Sequence, residues 1–135
     1  MKDFAELLGW IIAIGYGIAF ANFLLKYINR KYIVKVPKSY KKYVDYYRIV
    51  MRYVIRYHKL AGYAAAIALI THFFIMYNIE GLSITGLAAA IIMLVIIALG
   101  AYGAFINKNF KGSWLKIHRN LSFLLLISIA SHLLI

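Results

Sequence analysis

Cysteine is absent from this chain, proline occurs once, and only four of the 135 residues are acidic. Without cysteine there can be no disulfide framework, no iron–sulfur cluster, no thiolate zinc site and no Cys-x-x-Cys-His attachment of a prosthetic group. With so few carboxylates, no activated Ser-His-acid set can be assembled inside the protein. What is present is apolar. Hydrophobic residues make up 64% of the sequence and the mean hydropathy is +0.78, well above a soluble globular domain. The expectation is an integral membrane protein.

About 20 apolar residues cross a bilayer core, and four segments have that length: about Phe4–Leu25, Tyr57–Ile79, Thr85–Ile106 and Trp114–Ile135. Asp3 with Glu6 three residues on suits a capping box at the start of the first. Ala19-Phe20-Ala21 resembles a signal-peptide cleavage site. The acidic residues precede that apolar run and the basic ones follow it, so a retained span is the better reading. Short turns, Glu80–Ser83 and Asn107–Ser113, join the last three segments and make neighbours antiparallel. The expected fold is all-α, a transmembrane four-helix up-down bundle forming one domain over residues 1–135.

The net charge of +12 is unevenly placed, with eleven of sixteen Lys and Arg between Lys26 and Lys59. The second loop has none, and the third has Lys108, Lys111 and Lys116. This asymmetry puts the basic loops in the cytoplasm and both termini outside. It also removes the need for a nucleic-acid partner, since the stretch has no recognition motif. From Ser39 to Tyr57 tyrosines alternate with Lys and Arg at helical spacing, Pro37 lies just ahead, and Ser39 is a plausible N-cap. This basic, Tyr-rich helix either lies along the headgroups or extends the second span.

Four histidines form two pairs of equal spacing: His58 with His72, and His118 with His132. Fourteen residues turn about 1400° and climb roughly 21 Å, so each pair shares one helix face at two depths. Two such helices facing each other would stack His58 against His118 and His72 against His132. Paired neutral imidazoles are an axial ligand set for haem iron. With no cysteine to attach it, the cofactor would be two non-covalent haem b groups.

An offset of sixty residues aligns more than the histidines. His58-Lys59-x-x-Gly62-Tyr63 matches His118-Arg119-x-x-Ser122-Phe123, and Thr71-His72 matches Ser131-His132. Lys59 and Arg119 would sit beside haem propionates, or snorkel to the interface. Gly62 and Ser122, one turn above the inner histidines, would leave room for a flat macrocycle. The hydroxyls of Thr71 and Ser131 would bond to backbone or to a neighbouring group.

This pattern resembles the dihaem four-helix part of cytochrome b from the quinol-oxidising bc complexes, which carries paired histidines at this spacing on its second and fourth helices. The resemblance assigns His58, His72, His118 and His132 as axial ligands. It also implies glycines where the macrocycle nears the flanking helices, a place taken by Gly86 and Gly100; on the first span Gly9 is followed fourteen residues later by Phe23 instead. The family's quinol-site motifs have no counterpart, so Q-cycle function is not implied. The transmembrane haem domain of ferric-reductase-like proteins is similar too, through the run His58 to Gly62.

The expected function is electron transfer across the membrane by a b-type cytochrome, as a subunit of an oxidoreductase system more than a self-contained enzyme. Expected partners are membrane lipid, a quinone, or a soluble or membrane redox protein, and oligomerisation is compatible with all of them. The alternatives are a small ferric- or quinone-reductase-like membrane enzyme and a histidine-based proton-coupled transporter. The transporter reading lacks intramembrane carboxylates, and a zinc site would want four ligands where each level offers two imidazoles.

Overall fold

The computed structural model describes residues 1–135 and is all-helical. Helix α1 runs Lys2–Lys31, α2 Lys41–Glu80, α3 Ile84–Phe105 and α4 Ser113–Leu134, with single 3₁₀ turns at Ile33–Lys35 and Lys38–Tyr40. All four helices are long and apolar enough to cross a membrane. Only twelve residues are buried, while Ile67, Phe74 and Leu134 stand largely exposed. Apolar side chains turned outward in such number suit a protein solvated by hydrocarbon.

The element ends have local causes. Gly81 adopts φ 80, which closes α2, and Ser83 then accepts from the Gly86 N–H to cap α3. Two sequence expectations fail here. The Asp3–Glu6 capping box does not form, because the helix already begins at Lys2 and Asp3 lies inside its first turn; Met1 occupies the cap position with no side-chain bond. Ser39 is not the N-cap of α2 either. Pro37, at φ −58, starts a 3₁₀ turn that takes in Ser39, and Tyr40 becomes the cap residue.

Helix α1 packs along α2, and α3 along α4; α2 meets α3 more sparsely and α1 barely touches α4. At one end of the first hairpin Lys2 pairs with Glu80 at 2.8 Å, and at the other Tyr47 donates to the Leu25 carbonyl at 2.6 Å. The two hairpins meet through Ile12, Tyr16, Ala65, Ala68, Leu69, Ala89, Ala90, Met93 and Leu125. Alanines dominate this seam, and their short side chains let the backbones approach. In sequence the seam residues of α2 and α4 fall between the two histidines of their helix, so the packed core separates the two histidine levels.

Candidate functional site

Each histidine is half-buried and is held by the other helix of its own hairpin. His72 Nδ1 donates to the Ala5 carbonyl at 2.7 Å, and His58 Nδ1 to the Ala19 carbonyl at 3.1 Å. In the second hairpin His118 Nδ1 donates to the Ile96 carbonyl at 3.0 Å. A carbonyl only accepts, so each of these three rings carries a proton on Nδ1, and in its neutral form presents a lone pair at Nε2. His132 differs. Its Nδ1 meets the Thr85 hydroxyl at 3.2 Å, a side chain in place of a backbone group. No Nε2 in the set is hydrogen-bonded to protein.

The acceptors on α1, Ala5 and Ala19, repeat the fourteen-residue interval of the histidines they hold. Fourteen residues before Ile96 stands Leu82, which lies ahead of the first residue of α3, and there Thr85 substitutes. Four residues beyond an acceptor comes the residue whose N–H closes the helical bond to the same carbonyl. At that position Gly9 and Gly100 let a ring come in close: a Cβ on Gly9 would lie 3.2 Å from His72 Cε1, and one on Gly100 3.4 Å from His118 Cε1. Gly86, at the matching place before α3 is fully wound, would bring a Cβ within 3.0 Å of His132 Cε1. The family resemblance implied Gly86 and Gly100 as clearance for a macrocycle; in the structure both lie close beneath an imidazole. Phe23 holds the fourth such position, and its ring turns aside to Phe20, Tyr27 and Phe123.

At one level the rings of His58 and His118 approach edge to face, with centroids 6.4 Å apart and planes at 71°. They line a cavity of about 640 Å³ between the hairpins, within the range of small-molecule and cofactor sites. Lys59, Arg119, Gly62 and Ser122 line it, as does Gly100. A Cβ on Gly62 would meet nothing within 4 Å, so its side of the cavity is open. Ser122 turns its hydroxyl back to the His118 carbonyl at 2.8 Å, and its own carbonyl accepts from the buried Tyr16. Arg119 lies over the Phe23 ring, 5.4 Å from its centroid.

Thr71 and Ser131 do not reach toward the neighbouring rings. Both hydroxyls bond back to the carbonyl four residues earlier, Ile67 and Ile127, as hydroxyls in apolar helices commonly do. Sequence reasoning also missed Lys26 and Asn22, which line the cavity from α1; the Asn22 carbonyl oxygen is buried there without a partner. No cluster of three or more His, Cys, Asp or Glu side chains forms anywhere in the chain. Chemically the arrangement offers, at the cavity, two neutral imidazole donors, an apolar wall and a cationic rim of Lys26, Lys59, Lys108 and Arg119. Comparison of the chain with family models, curated proteins and solved structures finds no match.

Proposed function

We propose that this chain is a four-helix up-down membrane bundle that holds two bis-histidine haem b groups and carries electrons between the two faces of the membrane. The observation that carries the reading is the His58–His118 pair. Two imidazoles at this spacing could hold a metal ion between them, since metal–imidazole bonds are about 2.0 Å long. The observed separation is 6.4 Å across an apolar cavity. Two further features support it: the proton held on Nδ1 by backbone acceptors, which frees Nε2, and the cations Lys59 and Arg119 beside the cavity, suited to carboxylates. His72 and His132 would hold the second group at the other depth.

When bound, haem would supply one-electron chemistry, with His58 and His118 holding one group and His72 and His132 the other. The chain's residues bind and orient it, keep its surroundings dry and set its ligand strength through the Nδ1 bonds. Lys and Arg distribution favours the His58–His118 level on the cytoplasmic side and both termini outside. Helix α2 has forty residues, about 60 Å of length against a hydrocarbon core of about 30 Å. The Tyr-rich segment Lys41–Arg56 thus continues the second span into the cytoplasm, where anionic lipid or an acidic redox partner would meet its cations. A quinone at the interface is the other candidate partner.

The test is optical. Dithionite-reduced protein should give low-spin b-type bands that carbon monoxide leaves unchanged, because both axial positions are filled. A spectrum that carbon monoxide converts to a high-affinity adduct would contradict bis-histidine ligation.

A further inference from the structure

Three of the four imidazoles rest on backbone carbonyls, which no substitution can remove. The fourth does not. His132 Nδ1 lies 3.2 Å from Thr85 Oγ1, Thr85 Oγ1 lies 3.2 Å from Ser83 Oγ, and Ser83 Oγ accepts from the Gly86 N–H at 3.2 Å. Gly86 also lies beneath the ring, where a Cβ would come within 3.0 Å of His132 Cε1. Three residues at the start of α3, Ser83, Thr85 and Gly86, thus support one ring from two directions. The reason is positional: Leu82, which would offer the equivalent carbonyl by the fourteen-residue interval, precedes the helix.

Resting on the functional reading above, we propose that Thr85 is the positioning residue for His132, fixing its tautomer and its strength as an iron ligand through a chain of hydroxyl bonds anchored at Ser83. The direction of the chain follows from valence. For Nε2 to offer a lone pair, Nδ1 must carry the proton and donate it to Thr85. The Thr85 hydroxyl then donates to Ser83, whose oxygen already receives the Gly86 N–H. If Thr85 donated to Nδ1 instead, Nε2 would hold the proton and could not bind a metal. The Thr85 hydroxyl therefore selects the ligating form of the ring, and its acceptor strength sets how much electron density the imidazole passes on.

Thr85→Val keeps the shape and removes the hydroxyl, whereas Thr85→Ser keeps the hydroxyl. In purified protein the Val variant should release one of the two haems about 10–100-fold more readily, the usual effect of removing a partner behind a ligating histidine. The retained fraction of that haem should titrate at a more positive potential, since a weaker donor stabilises ferric iron less; a tenfold change corresponds to about 59 mV for one electron. The other haem should keep its occupancy and potential, which also reports that the variant is folded, and Thr85→Ser should match wild type on every readout. A Val variant with both occupancies and both potentials unchanged, or a Ser variant that behaves like Val, overturns the proposal while leaving the haem reading intact. A wild-type chain that takes up no haem overturns the functional reading and this proposal together.

Nitrogen-15 spectra of histidine-labelled protein without cofactor supply an independent readout, as only four rings contribute. The His132 ring should appear as the Nδ1–H form in wild type and Thr85→Ser. In Thr85→Val it should shift toward a tautomer mixture; an unchanged His132 signal in that variant also counts against the proposal.

Discussion

Under the proposed dihaem reading, replacing His118 with alanine should remove one of the two haems and leave the other spectroscopically intact. The two hairpins contribute one imidazole each to a level, and the ring of His118 stands opposite His58 across the cavity. In the proposed dihaem arrangement, removing one ring would leave the group a single protein ligand, weakening its retention and opening the site to exogenous ligands. His58→Ala should remove the same haem as His118→Ala, and His72→Ala and His132→Ala should both remove the other. Free imidazole added to His118→Ala should restore the low-spin bands, since the carbonyl of Ile96 and the clearance at Gly100 remain to hold it. Pairing in any other combination, such as joint loss from His58→Ala and His72→Ala with the other pair unaffected, would contradict the stacked arrangement.

The second large effect is expected at the edge of the same cavity, one helical turn before His118. Trp114 is buried at the start of α4, and its Nε1 donates to the Asn109 carbonyl at 3.0 Å. Its six-membered ring lies against the bare backbone of Gly103, so that a Cβ at Gly103 would overlap the ring. The indole is tethered by the bond to Asn109 and also packs close to Gly112, where a Cβ would lie 3.0 Å from Trp114 Cδ1. Gly103→Ala should therefore destabilise the protein by about 1–3 kcal/mol through overpacking, read as a lower melting temperature in detergent. Gly17→Ala is the control. A Cβ there meets nothing within 4 Å, and alanine in a helix interior is favoured by about 1 kcal/mol over glycine. Equal melting of Gly103→Ala and wild type would show that the α3–α4 turn is not locked by this contact.

The elements of the fold were legible because their signals are coarse. Four apolar runs of spanning length and two short turns specify four helices, and the interval between His58 and His72, repeated at His118 and His132, specifies a shared face. What lay out of sight was finer and of two kinds. Backbone acceptors have no sequence signature, so Ala5, Ala19 and Ile96 could not be singled out as the groups that orient the rings. Their only trace is a glycine four residues later, visible at Gly9 and Gly100 and hidden at Phe23. Contacts at element ends depend on where a helix starts within one residue. Thr85 became a partner of His132 because α3 begins at Ile84, whereas Ser39 and the Asp3–Glu6 pair lost their expected caps through shifts of one and two residues. Of the two partners expected for Thr71 and Ser131, backbone or a neighbouring group, the hydroxyls take the backbone of their own helix.

The clasping of cofactor by facing imidazoles is tested most directly by counting haem. Purified protein from cells supplied with the cofactor, assayed as the pyridine haemochrome against chain concentration, should contain two haem b per chain. Colourless protein, correctly folded and inserted, would contradict the account at its centre.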